Sequence, residues 1–207
     1  MRRAIVLGVM TAAVLNVVPA ASAHACACCA EPGQRVEQFT SFDDRDAFQS
    51  EVIRSLALGG AATLYRDAAD WDEVIRGLNN PDRSTAYRVA LTRAAKSWTF
   101  AFEDKRANSG RIAIRLPREF ELFAADRTPG DSVGGSGPEF YKELRFSGVM
   151  TGSGMFITNG KGTARATVIF HGHGNGCTFA EQFTHWTLEA KGPGVQYRFY
   201  GRLRKTP

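Results

Sequence analysis

The sequence predicts a mainly β chain. A small helical N-terminal part precedes an antiparallel meander that closes into a barrel or a strongly curved sheet. Three observations carry this. From residue 85 onward, apolar side chains recur at every second position, the period of a half-buried strand. Turn-forming Gly, Pro, Asn and Ser clusters separate the alternating runs at short intervals. Helical spacing is confined to the stretch before residue 80.

Taken in order, the first 23 residues read as a secretory leader. Arg2 and Arg3 precede an apolar run from Ala4 to Val18, and Ala21-Ser22-Ala23 is a small-x-small cleavage site. The run is short and interrupted for a membrane span, and no later stretch reaches spanning length. A second cut after Ala25 also fits and would leave Cys26 at the mature N-terminus. The His24 imidazole fits a lipoprotein signal badly, so lipid anchoring is not expected. The expected location is therefore periplasmic or secreted. The chain divides into the leader (1–23), a cysteine-rich segment (24–40) and one mainly-β domain with N-terminal helices (41–207).

Within that domain, residues 31–40 are polar without a period. Ser41 opens a helix with Asp44 as capping partner, and Phe48, Val52, Ile53 and Leu56 share its face. Gly59-Gly60 stops it. Residues 61–66 form a short strand. Asp70 with Glu73 starts a brief second helix over 71–76. Tyr87, Val89 and Leu91 begin the alternation, and Trp98, Phe100 and Phe102 continue it. Ile112, Ile114 and Leu116 follow the Asn108-Ser109-Gly110 turn, and Phe120 and Leu122 lie beyond Pro117. Residues 126–138 are a Gly, Ser, Asp and Pro-rich loop. A strand covers 140–150. Asn159-Gly160 is the strongest hairpin signal, joining 155–158 to 163–173. Strands over 183–190 and 195–203 flank Gly192-Pro193-Gly194. About eight to ten strands result, with a split sandwich as the competing arrangement.

Charge narrows the partners. The 207-residue chain has 26 basic and 21 acidic residues; the leader holds two of the former and none of the latter, leaving a mature excess of about +3. That mild excess suits a small anionic ligand better than nucleic acid, whose phosphates call for a dense basic patch.

Two stretches carry candidate chemistry. The first is His24-Ala-Cys26-Ala-Cys28-Cys29. Its thiolates are soft ligands suited to copper or zinc, and a cut after Ala23 adds the His24 imidazole and a free amine. The competing use is structural, because an exported chain with four cysteines favours disulfides. Cys177 stands alone, and Cys28 to Cys177 with Cys26 to Cys29 is one pairing among three. A bridge closing about 150 residues contributes roughly 4–5 kcal/mol in the chain-entropy model.

The second stretch is Phe170-His171-Gly172-His173-Gly174. On a strand His171 and His173 share a face, and the next strand places Phe183, His185, Thr187 and Glu189 on one face. Pairing His173 with Phe183 sets His171 across from His185, so three imidazoles converge. A His-x-His strand with a third histidine from its neighbour resembles the zinc arrangement of carbonic anhydrases, and the His-x-His of cupins is similar. The resemblance covers those side chains only. Three neutral imidazoles with an open position themselves suit Zn(II) or Cu(II), with Glu181 or Glu189 as supporting groups.

Other signals are plainer. The 130–137 glycines lack the Lys and following helix of a phosphate loop. Asp43, Asp44 and Asp46 suit a helix start better than calcium. Trp98, Phe100, Phe102, Trp186, Tyr197 and Phe199 fit a core, with a ligand-cavity wall as the alternative. The expected function is an exported protein that sequesters or delivers copper or zinc through Cys and His ligands. The alternative is a disulfide-stapled barrel that binds a small apolar or anionic molecule, or a partner protein, without metal. A metal-dependent hydrolase or isomerase comes third.

Overall fold

The computed structural model describes residues 33–66, 75–81, 83–127, 139–157, 163–174 and 179–204. Ten strands and one short helix make it up. They are β1 (Arg35–Ser41), α1 (Phe48–Ser55), β2 (Ala61–Leu64), β3 (Ala86–Ala94), β4 (Ser97–Asp104), β5 (Ser109–Arg115), β6 (Glu119–Asp126), β7 (Phe140–Gly154), β8 (Arg165–Gly174), β9 (Phe183–Gly192) and β10 (Val195–Arg202). Eight of them, β2-β3-β4-β5-β7-β8-β9-β10, form an antiparallel ring, closed where Phe199 and Tyr200 of β10 meet Leu64 and Thr63 of β2. The predicted meander is thus a closed barrel, and closure removes the exposed edges an open sheet would leave.

The even-period side chains fill the interior. Trp98, Phe100 and Phe102 of β4 face Ile112 and Ile114 of β5, Val168 and Phe170 of β8, Trp186 and Leu188 of β9 and Phe199 of β10, all buried. Rings pack against rings: Phe102 lies 4.5 Å from Phe199 and Trp98 lies 5.0 Å from Phe146, centroid to centroid. An eight-stranded barrel is just wide enough to be filled this way. The aromatic stripe is a core, which leaves the outer wall and the mouths of the barrel to solvent.

β6 is a continuation of β5 past Leu116-Pro117-Arg118. Both pair with the 15-residue β7, Ile114 with Met150 and Glu121 with Arg145. At the junction the Arg115 carbonyl lies so close over Gly148 that a Cβ there would sit 2.0 Å from its oxygen. A side chain at 148 would push the two strands apart, which is why glycine stands at the changeover.

Several local expectations are corrected. Residues 31–40 contribute β1, paired with β6 from Arg35↔Ala125 to Ser41↔Glu119. This strand shows no apolar period because four of its seven residues are exposed and the one buried residue is Thr40. The first helix begins at Phe48, since Ser41 is already committed to β1. Asp44 accepts the Asp46 and Ala47 amides (3.1 and 3.0 Å) just before it, which stops the chain and turns it. The partner of β8 is the 140–149 part of β7, from Phe140↔Gly174 to Val149↔Arg165, rather than 155–158; Phe156 instead bridges to Leu78. Asn159-Gly160, the 130–137 glycines and most of the second helix lie outside the described residues. So do the leader, His24 and all four cysteines. Among the described residues no helix is long and apolar enough to cross a membrane.

Candidate functional site

The alternation that sends Phe170 and Trp186 inward sends His171 and His185 outward. They are register partners on β8 and β9, and their rings stack at 22° with centroids 5.6 Å apart. The predicted pairing of these two is found. The residue beyond it differs: the ladder slips between His171 and Gly172, and Gly172 pairs with Phe183. This bulge adds a residue to β9 and turns Phe183 into the core rather than onto the histidine face. Gly172 permits it, because a Cβ there would lie 1.8 Å from the Gln182 carbonyl oxygen.

His173 is therefore carried away from the pair. It pairs with Tyr141 of β7, its ring 5.6 Å from the phenol ring, and Arg127 Nη1 lies 2.9 Å from its Nε2. As a guanidinium has only donors, Nε2 accepts this bond and the proton of a neutral His173 sits on Nδ1. The three predicted imidazoles are present as two and one. Among the described residues no group of three His, Cys, Asp or Glu side chains is placed to hold an ion.

Glu143 of β7 pairs with His171, so one row across three strands reads Glu143, His171, His185. Tyr141 donates its hydroxyl to Glu143, and Arg145 lies 3.6 Å from the same carboxylate while bonding Glu121 at 2.8 Å. Burial and the bond to Glu143 both push the Tyr141 phenol well above its usual range, so it stays a neutral donor. Glu189, a predicted supporting base, is engaged elsewhere. Burial works against its carboxylate, but Arg198 at 2.9 Å and Lys191 at 3.5 Å outweigh this and hold its pKa below the ordinary value. Glu181 is exposed within a 3-10 turn, Ala180–Gln182, and is not among the residues lining the groove of His171 and His185.

The row forms one wall of an outer groove of about 550 Å³ that continues over Ile169 and Thr187 to Tyr65, Arg198 and Tyr200. Tyr200 comes from β10, set beside Thr187 by the β9–β10 hairpin, and Tyr65 from the β2 end, remote in sequence from the histidines. Only the closing of the ring brings Tyr65 alongside. Beneath, on the inner face, Lys142 is buried and bonds the Gln182 side chain, and burial lowers its pKa to about 8. This bond ties the turn before β9 to β7 and so holds the bulge that separates His173 from the pair.

Burial lowers the His171 pKa first. The His185 and His173 imidazoles act in the same direction, and Glu143 opposes them. A histidine whose folded pKa lies below its unfolded value of about 6.5 costs nothing above both. Stability is lost as the pH falls through that window. The urea midpoint should therefore fall between pH 7.5 and pH 5, and the fall should be smaller in His171→Gln. An equal fall in the variant would assign the acid sensitivity to other groups.

Comparison with known protein families, characterised proteins and solved structures gives no match.

Proposed function

We propose that this is an exported barrel that holds a soft or borderline ion, copper or zinc, on its outer wall at the His171–His185 pair, for sequestration or delivery. The observation that carries the reading is the register itself, which sets two imidazoles side by side on the outer face of a barrel whose interior is filled. Two neutral imidazoles are borderline ligands and leave the ion incompletely coordinated. The remaining ligands are thiols from Cys26, Cys28, Cys29 or Cys177.

Register also supports bringing those thiols near. Gly33 donates its amide to the Asp126 carboxylate at 2.8 Å; Asp126 pairs with Phe140, and Phe140 with Gly174. The two points from which the cysteine-bearing segments depart thus lie in one row, about three strand spacings or ~14 Å apart. Cys29 is four residues before Gly33 and Cys177 three after Gly174. At ~3.3–3.6 Å per extended residue, these reach ~13 and ~10 Å, enough to meet. The same reach serves a disulfide staple from the head to Cys177, and two thiols remain for an ion when one such bridge forms.

Native mass spectrometry of periplasmically matured protein, titrated with Zn(II) and with Cu(I), tests the reading. One ion per chain is expected, lost in the His171→Ala/His185→Ala double variant. Retention of the ion by that variant removes the imidazoles from the site, and an unchanged mass in the parent protein sinks the metal reading altogether. Thiol counting on the same sample separates the uses of cysteine: four free thiols exclude a staple.

A second reading rests on the groove. Its volume falls within the ~300–1,000 Å³ of small-molecule sites, and its wall continues past the histidines over Tyr65, Ile169 and Tyr200. In this reading a small aromatic or apolar molecule binds there without metal. Ligand uptake unaffected by chelator, and weakened by Tyr200→Ala, would favour it over the ion.

A further inference from the structure

The interior face of β3 runs Tyr87, Val89, Leu91 and then Arg93, so the barrel lining ends in a guanidinium where an apolar side chain is expected. Arg93 pairs with Trp98, and its guanidinium lies over the indole, 4.6 Å from the ring centroid. One of its N–H groups bonds the Leu56 carbonyl, whereas Nε is buried with no hydrogen-bond partner among the described residues. Burial lowers its pKa, the sign of a cation removed from water without a compensating anion. The same mouth of the barrel carries two more guanidiniums. Arg54 of α1 bonds the Phe42 carbonyl, and Arg45 stands on the turn before α1.

These three arginines line one pocket of about 580 Å³, together with Phe42, Trp98 and Leu116. Asp43 is the only acidic residue in that lining. The site is thus strongly cationic on one side and aromatic and aliphatic on the other. An inorganic anion would satisfy the first side and leave the second wet. An apolar molecule would cover the second and strip water from the guanidiniums without offering them an acceptor. A ligand with both parts satisfies both.

We propose that this mouth, at the β3–β4 turn, binds an organic carboxylate with an apolar chain, its head on Arg93, Arg54 and Arg45 and its chain against Phe42, Trp98 and Leu116. The planar fork of a guanidinium matches a carboxylate bidentately, and the exposed Arg45 and Arg54 present theirs in the pocket beside Arg93. The site lies apart from the imidazole groove and shares no lining residue with it.

Calorimetric titration of the full chain with decanoate, below its micelle concentration, tests the proposal, with decanol and sodium sulfate as comparison probes. Expected are saturable uptake of one decanoate per chain and binding at least tenfold weaker for decanol and for sulfate. Arg45 and Arg54 are exposed and Arg93 braces Trp98, so the informative variant is Arg45→Gln/Arg54→Gln. It should fold normally and bind decanoate at least tenfold more weakly, whereas His171→Ala/His185→Ala should bind it unchanged. Absence of saturable decanoate binding overturns the proposal, as does equal affinity for decanol. Sulfate binding as tight as decanoate would remove the apolar half, and unchanged binding in the arginine variant would remove the charged half.

Discussion

Phe100→Ala should destabilise the protein by about 3–5 kcal/mol, the range for emptying a fully buried aromatic site. Phe100 has no exposed surface; it sits mid-barrel on β4, between Leu91 of β3 and Ile112 of β5, with Trp186 6.2 Å away across the interior. Strands locked into a closed ring cannot collapse onto the vacated space, so the upper part of that range is expected. In a two-state chain of this size the loss corresponds to a melting temperature lower by about 6–20 °C. The denaturant midpoint should fall with the slope unchanged. A loss below about 1 kcal/mol would mean that the interior is already loosely filled, and the barrel lumen would return as a ligand site.

Gly172→Val is expected to act on both the fold and the site. Its Cβ would enter the Gln182 carbonyl, a backbone atom that cannot swing aside as a side chain can. Overpacking of this kind costs ~1–3 kcal/mol, and here the strain is relieved only by undoing the bulge. Without the bulge, the regular ladder from Arg165↔Lys191 to His171↔His185 runs on to Gly172↔Thr184 and His173↔Phe183, so Phe183 leaves the core for the histidine face. Ring-to-ring NMR contacts between His171 and His185 should persist, while those of Phe183 with core side chains should disappear. A variant that keeps the Phe183 contacts at unaltered stability would show that the close approach at Gly172 does not hold the bulge.

These two substitutions mark how far the sequence could be read. Phe100 is legible because strand alternation is local: Trp98, Phe100 and Phe102 declare one face whatever the strand pairs with. The same logic predicted most strands, the inward turn of Trp186 and Leu188, and His171 opposite His185. It failed where local pattern carries no information. β1 is not legible because it is mostly exposed and its one buried residue is a threonine, so no apolar period marks it. Phe183 was assigned to the histidine face because a bulge is set by packing at Gly172 and Gln182, not by spacing. His173 was grouped with its neighbours because a strand puts i and i+2 together, while Tyr141 and Arg127 that claim it come from 32 and 46 residues away.

The rest of the groove was out of reach for a related reason. Glu143 comes to His171 through the long-range β7–β8 pairing, and Tyr65, just past β2, through ring closure onto β10; no short-range signal connects either to the imidazoles, whereas Tyr200 follows from the β9–β10 hairpin. The arginine mouth was equally hidden, since Arg45, Arg54 and Arg93 are unremarkable singly. By itself the sequence determined which side chains face in and which face out along the regular, half-buried strands, because period-two burial is written residue by residue there; at the Phe183 bulge and in β1 it did not. The tertiary structure alone decided which outward residues become neighbours. Adjacency across strands depends on register, bulges and closure, and those are fixed by backbone contacts between segments far apart in the chain.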